Sequence, residues 1–127
     1  MSEQVMIQSE NDVYHALGLV RRTMKQLAFS EMDQQMILVS VSELTRNVLD
    51  HAGGKGSFRC IPVAGGIQIE VADNGPGIQN IEDVLNGVVK APTRGLGLGL
   101  SGVNRLMDKL QIETSAGGTT IIATKWR

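Results

Sequence analysis

The chain has 127 residues, a formal net charge of -1, 42% hydrophobic and 20% charged residues, the balance of a globular domain that can bury a core. That charge, with no cluster of lysines and arginines interleaved with aromatics, leaves no electrostatic footprint for nucleic acid. The single cysteine, Cys60, excludes an internal disulfide and a cysteine-based metal centre, and no apolar run approaches the roughly 20 residues of a membrane span, so one cytoplasmic domain over residues 1–127 is expected.

Met1 to Gln8 reads as a short edge strand. Ser9 followed by Asp12 is a capping box that opens a helix. Val13, Leu17, Val20, Met24 and Leu27 recur at spacings of three and four and predict a buried stripe, with Arg21, Arg22 and Lys25 left to solvent. Ser30 and Asp33 repeat the capping signal for a second helix reaching about His51, its core stripe being Ile37, Val41, Leu44 and Val48. Another side of that helix carries Ser40, Glu43, Asn47 and Asp50 or His51, polar groups sharing one face. Gly53, Gly54 and Gly56 break the helix.

Ser57 to Val63 and Ile67 to Ala72 then read as strands joined at Ala64-Gly65-Gly66, with Ile67, Ile69 and Val71 on one face. From Asp73 to Gly99 the chain is rich in glycine and proline, with a short helix around Ile81 to Leu85. A third helix takes its apolar side from Val103, Leu106, Met107 and Leu110. Gln111 to Ser115 and Thr119 to Trp126 close the chain as a hairpin across Ala116-Gly117-Gly118. Short hairpins without regular βαβ alternation favour a two-layer α/β sandwich, a mixed, mostly antiparallel sheet covered on one face by about three helices.

Three segments carry chemistry. In Glu43-Leu44-Thr45-Arg46-Asn47, a carboxylate and a carboxamide lie one helical turn apart, a pairing able to polarise a nucleophile and hold Mg2+, which takes one or two protein oxygens and completes its shell with phosphate and water. The same spacing also describes a solvated polar face. Asp73-Asn74-Gly75-Pro76-Gly77-Ile78 follows a strand directly. Its glycines permit close backbone approach, and Asp73 can accept a hydrogen bond from an exocyclic amine such as that of adenine; the same residues also make an ordinary turn. Gly95-Leu96-Gly97-Leu98-Gly99-Leu100 enters the third helix, where backbone amides and the positive helix end suit phosphate. Gly97, Gly99 and Gly102 match a dinucleotide fingerprint, but no strand precedes them and no βαβ unit can follow.

In this order the three segments resemble the N, G1 and G2 boxes of the GHKL superfamily of ATP-binding proteins, and Gly118-Thr119-Thr120 resembles the last piece of that family's adenine pocket. The resemblance implies the Bergerat ATP-binding fold. It also implies that Glu43 is the general base, that Asn47 is a Mg2+ ligand and that Asp73 reads the adenine amine. Gly75, Gly77 and Ile78 would wall the base, with Thr119 or Thr120 adding a hydroxyl. Gly95, Leu96, Gly97, Leu98, Gly99 and Leu100 would close over the phosphates, and residues 79–94 would form an ATP lid in which Arg94 or Lys90 reaches the γ-phosphate.

Ser42-Glu43-Leu44-Thr45-Arg46-Asn47 and the tail Ala123-Thr124-Lys125-Trp126-Arg127 are similar to the small bacterial serine kinases of sigma-factor regulation, above all the type that switches the stressosome. That resemblance implies a Mg-ATP-dependent serine/threonine kinase whose substrate and scaffold is a STAS-domain protein, with a PP2C-type phosphatase as a further partner. An anti-sigma factor with kinase activity and a non-catalytic ATP-gated binding switch are the alternatives. Histidine kinases share the boxes but phosphorylate a histidine on an adjoining helix pair, for which His15 and His51 are poor substitutes.

Overall fold

A computed structural model describes residues 3–51, 55–77 and 99–127. In chain order the elements are β1 (Glu3–Ile7), α1 (Glu10–Leu27), α2 (Glu31–His51), β2 (Gly56–Val63), β3 (Gly66–Asp73), α3 (Gly99–Leu106), β4 (Lys109–Ser115) and β5 (Gly118–Trp126). The five strands form one sheet in the order β1-β2-β3-β5-β4. Every pairing among the described strands is antiparallel. The two-layer sandwich expected from the element order is therefore present, with no parallel pair among these strands. Its short helix around Ile81 to Leu85 falls outside the described residues.

Local chemistry sets the helix starts. The Asp12 carboxylate accepts the amides of Gln8 at 2.8 Å and Ser9 at 3.0 Å, and the Ser30 hydroxyl accepts the Asp33 amide at 3.1 Å, so donors that a helix start leaves without partners are satisfied. The Gln8 amide is the main influence holding the Asp12 carboxyl below its ordinary pKa; burial opposes it, and the Ser9 amide adds to the lowering. Helix α1 ends at Ala28, whose left-handed backbone (φ 57°) is unusual for a residue with a β-carbon.

The predicted stripes form the core, except that Leu27 at the end of α1 is only partly buried against it. Val13, Leu17, Val20 and Met24 of α1 and Ile37, Val41, Leu44 and Val48 of α2 are buried against Phe58, Cys60, Ile67, Ile69, Val71, Ile121 and Ala123 of the sheet. Complete burial of one such aliphatic side chain contributes about 1.5–3 kcal/mol. Alternation along the strands assigns these sheet residues to a single face.

The third helix is shorter than its apolar spacing predicts. Met107 donates back to Val103 at 2.9 Å, but the Asp108 amide turns to the Thr124 carbonyl at 2.9 Å, and Leu110 lies in β4 opposite Ala123. Sheet pairing thus ends the helix although the apolar periodicity continues. Lys125 braces this corner: its ammonium donates to the Leu106 carbonyl at 2.8 Å and lies 3.7 Å from Asp108 and 4.0 Å from Asp33. A cation at the carbonyl end of α3 is favourably placed against the helix dipole.

Candidate functional site

Helix α2 brings the first group of site residues inward. Ser40 is fully buried and Glu43 only 2% exposed, so this is no solvated face. Burying a carboxylate is costly unless the surrounding structure compensates it. Thr45 is also fully buried, its hydroxyl donating to the Val41 carbonyl at 2.7 Å; a threonine can thus occupy this core position with its polar atom satisfied. One turn on, Asn47 Oδ1 is buried and has no hydrogen-bond partner among the described residues. A buried amide oxygen without a donor suits a hard cation, which seeks oxygen ligands. Arg46 is tied down beside them by an ion pair with Glu10 and by a 3.0 Å hydrogen bond to Ser42 Oγ, linking α2 to the first turn of α1.

The second group lies where β3 ends beside the start of β5. Asp73 Oδ1 accepts the Gly75 amide at 2.8 Å, an Asx turn that orients the carboxylate and leaves Oδ2 for another donor. The register pairs Asp73 with Thr119 and Ala72 with Thr120. Since paired residues share a face, Thr119 lies on Asp73's side with Ile121 and Ala123, while Thr120 lies on the other. Of the two hydroxyls the sequence left open, Thr119 is the one beside Asp73. Its oxygen is 2.8 Å from that of Thr114, its neighbour across the β4–β5 hairpin.

Two glycines admit this close approach. Gly77 has φ 87°, and a β-carbon there would stand 2.2 Å from the Ser115 carbonyl oxygen. Gly118 has φ 151°, and its β-carbon would stand 2.3 Å from the Asp73 carbonyl oxygen. Only a residue without a side chain satisfies both backbone angle and spacing. Thr114 and Gly118 were not singled out from the sequence for these contacts, although a two-residue turn at Ala116-Gly117 places 114 opposite 119 and would have found the first.

Gly99 (φ 60°) opens α3, and Leu100 is buried. Ile78, the lid with Lys90 and Arg94, and Gly95, Leu96, Gly97 and Leu98 lie outside the described residues. Helix α2 packs against both β3 and α3, so the elements bearing the three motifs adjoin.

Residues 8–125 match the model of the histidine kinase-like ATPase domain. The chain belongs to that family. It therefore carries an ATP-binding domain, the chemistry to which the Asp73 carboxylate and the glycine approaches are suited. It is 41% identical to serine/threonine-protein kinase RsbT of Bacillus subtilis across 96% of this chain and 94% of that protein, and is a homologue of that kinase. Among solved structures, the RsbU and RsbW domains of Rv1364c from Mycobacterium tuberculosis superimpose with a TM-score of 0.72 at 16% identity, covering 99% of this chain and 32% of that one. The chain thus spans about a third of that structure. The catalytic domain of histidine kinase ThkA gives a TM-score of 0.61 at 16% identity over 98% of this chain and 95% of that one. These two likenesses concern the fold. Among the described residues no helix is long and apolar enough to cross a membrane.

Proposed function

We propose that the chain is a Mg-ATP-dependent protein kinase that phosphorylates a serine or threonine of a STAS-domain regulatory protein in a cytoplasmic partner-switching stress pathway, with a PP2C-type phosphatase as a further partner. The observation that carries the reading is the buried Glu43 carboxylate, one helical turn from Asn47, in a chain 41% identical to RsbT over 96% of its length.

In this mechanism Asp73 accepts a hydrogen bond from the adenine amine, held in place by the Gly75 amide, and Thr119 adds a hydroxyl to the same network. Asn47 Oδ1 would hold Mg2+, which when bound neutralises charge on the phosphates. Glu43 accepts the proton of the incoming hydroxyl as its oxygen bonds to the γ-phosphorus and ADP departs. A positioned base of this kind contributes about 10²- to 10⁴-fold to rate. The glycines of 95–99 and a lid cation, Arg94 or Lys90, complete the proposed phosphate site by their place in the sequence.

The test is transfer of labelled γ-phosphate to STAS-domain proteins of the same genome. Glu43→Gln, which keeps the buried shape, should retain ATP binding and lose at least a hundredfold in transfer. Asp73→Asn should weaken ATP binding itself. Transfer by Glu43→Gln at the parent rate would remove the base assignment, and failure of the parent to phosphorylate any candidate it binds would remove the kinase reading.

A further inference from the structure

Glu43 is reached from a second direction. Between α1 and α2 lies a cavity of about 310 Å³ whose wall includes Leu17 and Arg21 from α1 and Leu38, Ser42, Glu43 and Arg46 from α2. Among the described residues assigned to the proposed nucleotide site, Glu43 lines it, while Asn47, Asp73 and Thr119 do not.

We propose that this α1–α2 cavity receives the phosphoacceptor segment of the substrate protein, with an acidic side chain of that segment paired to Arg21. The inference rests on the kinase reading above and adds to it where the protein substrate docks. Phosphoryl transfer requires the attacking hydroxyl roughly in line with the departing ADP, so the acceptor must approach the γ-phosphate from the side that the nucleotide does not fill. The cavity offers such an approach. The acceptor hydroxyl gives its proton to the Glu43 carboxylate, its oxygen bonds to phosphorus, and the bond from phosphorus to the ADP oxygen breaks.

Charge identifies the occupant. Arg46 is committed to Glu10 and Ser42. Arg21 is exposed, and among the described residues no carboxylate lies within ion-pair distance of it. The uncommitted charge on the rim is thus positive, and its complement is an acid. Leu17 and Leu38 provide apolar wall beside it, the combination of a hydrophobic surface with a few placed polar groups that binding sites share.

The outer surface of α1 is consistent with a docked protein. Tyr14 is 59% exposed, and one turn on stands Gly18, an unfavourable residue in mid-helix. Among the described residues a β-carbon on Gly18 would meet only the flexible end of Arg22, at 3.5 Å, so no packing among them requires the glycine. It leaves a low strip beside Arg21 where a partner backbone can come close.

The experiment measures binding of STAS-domain proteins from the same genome, by titration calorimetry with ATP present, alongside phosphate transfer and ATP affinity. The proteins compared are the parent, Arg21→Glu and Gly18→Gln. Arg21→Glu should weaken binding of the STAS-domain protein at least tenfold and raise its KM correspondingly. ATP affinity should stay within twofold, and reversing the acidic residue beside the acceptor to arginine should restore binding. Gly18→Gln should weaken the same binding without altering ATP affinity. Undiminished binding by Arg21→Glu overturns the assignment, as does a panel in which no STAS-domain protein binds the parent. A parent that binds its partner but transfers no phosphate refutes the kinase reading, while the response of that binding to Arg21→Glu still decides the docking site.

Discussion

Gly77 links backbone geometry to the proposed nucleotide site through the β4–β5 hairpin. Gly77→Ala imposes two separable costs. A side chain at φ 87° costs about 1–2 kcal/mol in the left-handed region. In addition, the new β-carbon would stand 2.2 Å from the Ser115 carbonyl oxygen and 3.0 Å from Thr114 Oγ1, so β4 or the 74–77 turn must move. Thr114 Oγ1 is bonded to Thr119 Oγ1, and Thr119 is the register partner of Asp73. The displacement therefore falls on the groups assigned to adenine.

Gly65→Ala isolates the first cost. Gly65 has φ 78° but open space around its missing β-carbon, at the distant β2–β3 turn. Denaturant unfolding should show Gly65→Ala losing about 1–2 kcal/mol, or roughly 4 °C in Tm per kcal/mol, with ATP affinity unchanged. Gly77→Ala should lose at least as much stability and also bind a fluorescent ATP analogue about 5- to 30-fold more weakly, the factor corresponding to a further 1–2 kcal/mol. Parent-like nucleotide affinity in Gly77→Ala, with the fold intact, would refute the coupling of this turn to the adenine site.

Three further outcomes follow from other parts of the fold. Lys125→Met removes the 2.8 Å hydrogen bond to the Leu106 carbonyl and should cost about 1.5–3 kcal/mol in urea unfolding; the two longer ion pairs add little, because their carboxylates are partly exposed, and an unchanged midpoint would dismiss Lys125 as a brace. Burial pushes the Cys60 thiol up to about 11, so native protein at pH 8 should react with a thiol reagent far more slowly than urea-unfolded protein; because the raised pKa favours the neutral thiol in the fold, its contribution is full below the ordinary 9.0 and is lost as pH rises toward 11. Ala28→Gly relieves the left-handed α1 terminus (φ 57°) and should stabilise the protein by about 0.5–1 kcal/mol, whereas a lower Tm would contradict that account of the cap.

The features read correctly from the sequence are those governed by neighbours in the chain. Capping by Asp12 and Ser30, the buried stripes of α1 and α2, and the two hairpin turns, read as 64–66 and 116–118 and each one residue shorter because Gly66 and Gly118 begin strands, depend on residues within about a turn of one another. Glu43, Asn47 and Asp73 were named as candidate site residues from the same kind of local spacing. The third helix was read too long because the periodicity of Leu106, Met107 and Leu110 continues past the point where the Asp108 amide finds the Thr124 carbonyl, a partner 16 residues away by number.

Tertiary structure decided the rest. Local spacing cannot tell a solvated polar face from a covered one, and only packing made Glu43 a buried carboxylate. Sequence left Thr119 and Thr120 equivalent, and the insertion of β5 between β3 and β4 separated them by turning alternate side chains to opposite faces. The cavity at Arg21 and Glu43 exists only once α1 lies against α2. The sequence by itself determined which chemical groups the protein carries and how each segment folds, since both are local properties. Which of those groups meet, and which remain open to a partner, follows from strand register and helix packing between residues far apart in the chain.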